Sequence, residues 1–211
     1  MRSISFGRAL AVLALICALL LSCLLGGCTQ SSAPYELEDI YDEAVTLIER
    51  AYAVNDVVLG YGLPTWAIGS EYANRVRIYA DDDFANYEYV TEYPPFGSIG
   101  ELKDALEAVY SQDYLESLYI TLFEGSVGGT NVIHAQFSES DGKLLQSVAV
   151  KPVLKGQRIY DYATMRIVSP SNQTYVTIEL ESHLEHSTDS LTVRLGLSLE
   201  NGEWRLDTPT Y

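Results

Sequence analysis

The spacing of apolar residues changes from a helical to a strand period along the chain. Before residue 130, apolar side chains recur every three or four residues in several stretches, which is typical of helices that bury one face. These stretches predict a first helix from Tyr35 to about Val54, a second that begins after Ser98 and a third that begins near Asp113. Two short strands, residues 75–79 and 87–93, are predicted between the first two helices.

Local polar signals mark the ends of several elements. Ser98 and Glu101 fit a capping box, in which each side chain accepts the backbone N–H of the other residue. Gly125 is suited to end the third helix, and the glycine-rich residues 125–129 predict a flexible joint after it. The dipeptides Asp141-Gly142 and Asn201-Gly202 favour two-residue hairpin turns.

After residue 130 apolar and polar residues alternate, which is typical of strands. The predicted strands cover residues 131–138, 143–148, 157–169, 174–182, 191–199 and 203–207. Alternation within 176–180 and 191–199 predicts that these strands bury one face and expose the other. Helices followed by antiparallel strands predict an α+β domain, in which N-terminal helices pack on a curved antiparallel sheet.

The first residues of the chain have the order of a secretory signal. Arg2 and Arg8 precede an apolar run from Ala9 to Leu25, and no acidic residue occurs before Glu36. The run is close to the lower limit of about 17 residues for a spanning helix, so a transmembrane anchor is the alternative interpretation. The run ends in Leu25-Gly26-Gly27-Cys28, which resembles the lipobox of bacterial lipoproteins.

The lipobox resemblance implies three segments. Residues 1–27 would be a cleaved signal peptide, 28–34 a lipidated Cys28 with a short tether, and 35–211 a single domain. Cys28 would carry a diacylglyceryl group, with Cys23 as a second candidate, and two acyl chains give durable membrane attachment. Because six extended residues span at most about 20 Å, the domain is expected close to the extracytoplasmic face of the bacterial cell membrane.

Composition narrows the chemistry of the predicted domain. The three cysteines of the chain, Cys17, Cys23 and Cys28, all lie at or before the predicted lipidation site, so the domain after it has no thiol for catalysis or zinc. The chain has 13 basic and 29 acidic residues, a formal net charge of −16. This balance argues against nucleic acid as a partner and against direct adsorption to anionic lipid. We expect membrane contact through the diacylglyceryl group, and no cofactor.

Residues scattered over 86–207 resemble those of a known family in type and order. They are Tyr87, Tyr89, Phe96, Ser98, Ile99, Leu102, Tyr110, Ser111, Tyr114, Leu115 and the runs 140–144 and 201–207. This pattern resembles the secreted DL-endopeptidase inhibitor family (IseA type) and related lipoproteins of Gram-positive bacteria. The order of elements resembles the NTF2-like, or cystatin-like, cone. The resemblance implies an inhibitor or regulator of a cell-wall hydrolase with a partner in the cell envelope, and it supplies no inhibitory residue.

Aromatic residues supply a candidate binding surface. The chain has 16 tyrosines, and tyrosines at alternate strand positions suit protein or glycan contacts as well as a half-buried sheet. Trp66 lies in a glycine-rich loop, where it is either a core or lid residue or a ligand platform. The candidate surface consists of Trp66, Tyr87, Tyr89, Tyr93, Tyr160 and Tyr162.

The candidates for catalytic or metal chemistry are few. His134 lies on a predicted strand, either as an exposed histidine or as an acid–base group inside a cone. His183 and His186 are three residues apart rather than four, so they predict a hairpin tip and not a zinc motif. Asp81-Asp82-Asp83 lacks the spacing of a calcium loop and predicts a solvated turn. We therefore predict no catalytic residue and no metal site.

Together these observations predict an anchored, non-catalytic binding module, with regulation of a cell-wall hydrolase as its role. Two alternatives remain at this point. One is an NTF2-like domain that binds a small ligand or a glycan, and the other is an NTF2-like enzyme that uses His134 with a neighbouring Asp or Tyr.

Overall fold

The described part of the chain consists of helices packed against antiparallel sheets. A computed structural model describes residues 34–66, 75–80, 83–92, 94–128, 131–149 and 156–211. The predicted signal, Cys28, Asp81-Asp82 and Tyr93 lie outside these residues. The elements are α1 (Leu37–Val58), β1 (Val76–Ala80), β2 (Asp83–Tyr89), α2 (Ile99–Glu107), α3 (Gln112–Tyr119), a π-helical segment (Ile120–Glu124), β3 (Ser126–Gly128), β4 (Asn131–Ile133), β5 (Phe137–Ser140), β6 (Lys143–Ser147), β7 (Arg158–Val168), β8 (Tyr175–Leu184), β9 (Ser190–Glu200) and β10 (Glu203–Leu206).

The strands form two four-stranded sheets and one two-stranded sheet. The first large sheet has the order β1-β2-β6-β5 and the second the order β10-β9-β8-β7, and all the pairs are antiparallel. The α+β class is therefore confirmed, and β7 to β10 form a meander in which each strand pairs with the next. The β5–β6 hairpin lies outside this meander, because β6 pairs with β2.

The predicted strand 131–138 is wrong as a single element. Residues 131–133 form β4, which pairs with β3, and residues 137–140 form β5, which pairs with β6. Gly125, with φ of +68°, ends the helical segment as predicted, and a Cβ built there would lie 2.6 Å from the carbonyl oxygen of Ile133. This close approach lets β3 fold back onto β4, so residues 126–128 of the predicted flexible joint form a strand instead.

Helix α1 is the longest helix of the described residues, and it packs against strands β7 and β10. Asp39 Oδ2 accepts the backbone N–H of Glu36 at 2.9 Å, which satisfies one donor at the helix start. The apolar stripe is buried as the spacing predicted, and Val57 and Val58 extend it beyond the expected end. Among the described residues, no helix has both the length and the apolar character needed to cross a membrane.

Local signals in the sequence match the structure well at α2 and at the hairpins. The Ser98 hydroxyl accepts the N–H of Glu101 at 3.1 Å, whereas the Glu101 carboxylate accepts from Gly97 at 2.6 Å rather than from Ser98. Of the two hydrogen bonds predicted for the capping box, the one from the Glu101 N–H to the Ser98 hydroxyl is therefore confirmed, and the reciprocal one is replaced by the bond from Gly97. Both hairpin turns have positive φ at both central residues, 53° and 70° at Asp141-Gly142 and 53° and 87° at Asn201-Gly202, as their tight geometry requires.

Strand β8 differs from the prediction that one of its faces is buried and the other is exposed to solvent. Val176, Ile178 and Leu180 point into the core as expected, but Glu179 on the other face is also buried. Arg166 and Arg194 each donate to the Glu179 carboxylate, at 2.5 and 2.7 Å. The two arginine side chains come from the strands on either side and hold the pKa of Glu179 below its ordinary value.

A buried polar triangle joins α1, the α2–α3 connector and the C-terminal residues. The Tyr110 hydroxyl donates to Asn55 Oδ1 at 2.8 Å, and Asn55 Nδ2 donates to Thr210 Oγ1 at 2.9 Å. The Tyr110 and Thr210 oxygens lie 3.1 Å apart, within hydrogen-bond distance. All three side chains are buried, so each depends on the other two for its hydrogen bonds.

Tyr110→Phe is expected to lower the free energy of unfolding by about 1 to 3 kcal/mol, because it leaves the buried Asn55 carbonyl without its donor. Urea denaturation monitored by circular dichroism measures this loss. Tyr61→Phe is the matched control, because Tyr61 is 84% exposed. Equal urea midpoints for the two variants would contradict the role given to the triangle.

Candidate functional site

Two of the predicted aromatic residues, Trp66 and Tyr89, line a single cleft of about 440 Å³. We call this the Trp66 cleft. Lys143 and Gly142 of the β5–β6 hairpin form another part of its wall, and Glu92 contributes a carboxylate. The volume falls in the range typical of small-ligand sites, about 300 to 1,000 Å³.

Backbone hydrogen bonds bring Trp66 to the end of β2. Trp66 N–H donates to the Tyr89 carbonyl at 3.2 Å, and Thr91 N–H donates to the Pro64 carbonyl at 2.9 Å. Leu63 N–H donates to the Gln146 side chain at 2.7 Å, which ties the same segment to β6. Residues 63–66 are therefore fixed against the first sheet at several points.

The chemistry of the Trp66 cleft combines aromatic faces with one cation and one carboxylate. Lys143 Nζ lies 5.8 Å from the centroid of the Tyr89 ring, within the range of a cation–π contact. Both aromatic side chains are half-buried. Such a surface suits a ligand that has an apolar face and polar groups at its edge.

The other candidate tyrosines are placed in or beside the cores. Tyr87 and Tyr89 share a face of β2 as predicted, and on that face they form a small apolar cluster with Ala85 of β2 and Leu145 of β6. Tyr87 is buried, and its hydroxyl donates to the Ala135 carbonyl at 2.5 Å. Tyr160 is buried and Tyr162 is half-buried against the main core. The structure therefore brings Trp66 and Tyr89 together and places Tyr87, Tyr160 and Tyr162 away from the cleft wall.

His134 follows β4 instead of lying on a strand, and it lines a different groove of about 750 Å³. We call this the His134 groove. His134 Nε2 lies 3.3 Å from Asp83 Oδ2, and the side chains are 16% and 56% exposed, respectively. The backbone N–H of Phe84 and then His134 hold the pKa of Asp83 below its ordinary value. Sequence reasoning treated Asp83 only as part of a turn, so it missed this contact.

His183 and His186 do not form a common site. His183 lies on β8, opposite Ser190 of β9, whereas His186 has φ of +69° in the turn that follows. The predicted hairpin tip is therefore confirmed. Within the described ranges, no group of three or more His, Cys, Asp or Glu side chains is arranged to hold a metal ion.

Comparison with protein-family models and with curated proteins finds no match to this chain. The resemblance to the DL-endopeptidase inhibitor family stays a prediction. The structure shows what several of the matching residues do: Ser98 caps α2, Tyr110 lies in the buried triangle, and Asn201-Gly202 forms a turn. These positions serve the fold, so they carry little information about activity.

The tyrosines of the folded chain are expected to ionise at higher pH than those of the unfolded chain. Burial raises the pKa of eight tyrosines above the ordinary value of 10.0; they are Tyr52, Tyr87, Tyr110, Tyr114, Tyr119, Tyr160, Tyr162 and Tyr175. The folded state favours the protonated phenol, so this stabilisation is complete below pH 10 and is lost as the pH rises further.

Tyrosinate absorbance measured against pH tests this expectation, with the urea-unfolded chain as the control. We expect the folded chain to titrate a reduced share of its tyrosines near pH 10, and the remainder to ionise together with loss of the circular dichroism signal. Superimposable curves for the folded and unfolded chain would contradict the burial of these tyrosines.

Proposed function

We propose that this chain is a lipid-anchored, non-catalytic binding protein on the extracytoplasmic face of the cell membrane, and that the Trp66 cleft is its binding site. The observation that carries the proposal is the meeting of Trp66 and Tyr89 in one cleft. They come from separate segments, and each was a candidate for ligand contact on sequence grounds alone. Their convergence supports recognition as a role for the cleft.

The anchor is supported by the order of charges and apolar residues before Cys28 and by the lipobox-like Leu25-Gly26-Gly27. The described fold begins at Pro34, and α1 starts at Leu37. A tether of so few residues keeps the domain near the membrane surface. Ligands reached from this position belong to the inner part of the cell envelope.

A cell-envelope protein is the proposed partner, and regulation of a wall hydrolase is the proposed role. The support is the resemblance over residues 86–207 together with the aromatic side chains and the charged Lys143 and Glu92 of the cleft. A glycan or another small ligand is the second candidate. It is favoured by the cleft volume and by the pair of aromatic side chains, since sugar rings also present apolar faces to aromatic rings.

We further propose that the two large sheets and α1 are the parts of an NTF2-like cone. Antiparallel pairing throughout both sheets and the packing of α1 on β7 and β10 support this proposal. The described strands form two large sheets, whereas the predicted cone has a single curved sheet. A crystal structure of the chain tests whether the two sheets enclose one concave face.

The alternative of an enzyme that uses His134 has one observation in its favour, the contact with Asp83. A carboxylate beside the imidazole fixes its orientation. The Asp83 side chain is more than half exposed, however, and a pair in contact with water gains little from the interaction. Binding is therefore the function that the geometry supports best.

Trp66→Ala is expected to lower the affinity for the partner at least about tenfold, the change typical of losing an aromatic contact residue. The full chain, purified in detergent and immobilised, is exposed to envelope extract and separately to soluble wall glycan fragments. Lys143→Ala is a second cleft variant, and Tyr61→Ala is the control on an exposed tyrosine outside the cleft.

Retention of a wall hydrolase that both cleft variants lose supports the proposed partner. Retention of glycan that both variants lose supports the second candidate. Ligand binding that Trp66→Ala and Lys143→Ala leave unchanged would show that the cleft is not the binding site.

Cys28→Ala is expected to abolish incorporation of labelled palmitate and to release the chain from the membrane fraction. The reason is that Cys28 supplies the sulfur that carries the diacylglyceryl group. Cys23→Ala is the matched control and should retain the label. Label that survives Cys28→Ala and disappears in Cys23→Ala would move the anchor to Cys23.

A further inference from the structure

The two large sheets have four edge strands, and three of these edges are protected. Strand β7 carries an irregularity in its register between Asp161 and Arg166, and a bulge of this kind disrupts further pairing. Strand β10 is four residues long, and its outer side bonds to Val109 and Ser111 of the α2–α3 connector. Strand β5 lies against α2 and the π-helical segment. Bulges, short strands and covered edges are devices that prevent pairing between sheets of different molecules.

Strand β1, Val76–Ala80, is the fourth edge, and it has no such device. It contains no proline, lysine or acidic residue, and its register with β2 runs without a bulge. Among the described residues, no strand pairs with its outer side. Its one charged residue is Arg77, whose guanidinium lies 4.5 Å from the centroid of the Phe84 ring of β2. That charge therefore leans toward β2 and away from the open edge.

The backbone groups of Arg77 and Tyr79 point to the open edge. The Asn86 carbonyl of β2 accepts from the N–H of Val148, which follows β6, at 2.9 Å. Hydrogen bonding alternates along an antiparallel strand, so Asn86 does not bond to Arg77, which lies opposite it. By the same alternation, Phe84 does not bond to Tyr79. The N–H and C=O groups of Arg77 and Tyr79 are thus left for a strand outside the sheet.

Exposed aromatic surface flanks this edge. Tyr79 is 65% exposed and Phe84 is 42% exposed, and the centroids of their rings lie 5.8 Å apart. An edge strand with outward backbone groups and apolar neighbours is a template for pairing with another chain. An added strand would also cover part of the two rings, which favours the pairing.

The sequence of β1 is complementary to itself in the antiparallel direction. Full overlap of two copies centres the pair on Ile78 and places Arg77 of each copy opposite Tyr79 of the other. Because opposite residues share a face of the sheet, each guanidinium meets an aromatic ring and not a second guanidinium. Val76 meets Ala80, so no like charges face each other. The outward backbone groups of Arg77 and Tyr79 bond to each other in this register.

We propose that the chain forms a two-fold symmetric dimer in which β1 pairs antiparallel with β1 of a second copy. The pairing joins the four-stranded first sheets of the two copies into one continuous sheet. Each copy uses the same surface, so the contact is closed and leaves no open edge on β1 for a third copy. No residue of β1 lines the Trp66 cleft, so the dimer goes beyond the proposed binding function and does not depend on it.

Cysteine cross-linking of the full chain in detergent tests the register, at moderate salt because the net charge of −16 repels a second copy. Ile78→Cys places two thiols across a non-hydrogen-bonded pair, where Cα atoms lie about 4.5 Å apart. Val76→Cys is the matched control on the same face, because Val76 lies opposite Ala80 and not opposite its own copy. With a mild oxidant, we expect at least about tenfold more disulfide-linked dimer from Ile78→Cys, since the control thiols are too distant to bond. The parent chain gives the background from its native cysteines.

Tyr79→Pro tests the hydrogen bonds of the dimer separately. Proline removes the outward N–H of residue 79 and leaves the bonds between β1 and β2 in place. We expect the dissociation constant, measured by sedimentation equilibrium, to rise at least about tenfold, because two hydrogen bonds between the copies are lost. Tyr79→Phe is the matched control, since it keeps both the N–H and the aromatic ring, and it should form the dimer normally.

Three results would overturn the proposal. They are a parent chain that stays monomeric in sedimentation, equal cross-linking of Ile78→Cys and Val76→Cys, and a dimer that Tyr79→Pro leaves unchanged. Cross-linking of Ile78→Cys in whole membranes to a different protein in preference to its own copy would also show that the second copy is the wrong occupant. Urea denaturation checks that the variants fold, and the cross-linking comparison stands by itself if proline unfolds β1.

Discussion

The Tyr110 hydroxyl is the interaction on which the arrangement of the elements depends. It joins Asn55 of α1 to Thr210 near the C-terminus, and it does so from the connector between α2 and α3. On either side of Tyr110, Ser111 N–H donates to the Leu206 carbonyl and Leu206 N–H donates to the Val109 carbonyl, both at 2.8 Å. The connector thus continues the second sheet as a short parallel neighbour of β10. Polar groups buried this deeply stabilise one arrangement, because any shift leaves several of them unpaired.

Both sites are built on supports of this kind, but on different ones. Ser111 accepts the N–H of Tyr114 and donates to Asp207, so it fixes the start of α3, which forms one wall of the His134 groove. The Trp66 cleft depends instead on the second small core around Tyr87 and on the bond from Leu63 to the Gln146 side chain. The two supports are linked, because the Tyr87 hydroxyl of the small core donates to the Ala135 carbonyl next to His134.

The sequence predicted those elements whose signals are local. The helical spacing of α1, the Ser98 cap and the two turns that contain Asn-Gly or Asp-Gly depend on a few neighbouring residues, and all are present. The division of residues 131–140 into two strands depends on the close approach of Gly125 to Ile133, and the burial of Glu179 depends on arginines from two other strands. The meeting of Trp66 with Tyr89 requires the pairing of Thr65 with Val90. Periodicity carries no signal for such distant contacts.

The net charge of the surface and the side chains of the candidate sites act on different steps of binding. An acidic surface accelerates encounters with basic partners, and salt weakens this effect. At the Trp66 cleft, the proposed binding site, the described lining has one cation, Lys143, and one carboxylate, Glu92. Net charge therefore acts mainly on the rate of encounter, whereas the contacts of Trp66 and Tyr89 act on the rate of release. Specificity at the cleft thus rests on its own side chains rather than on the net charge of the chain.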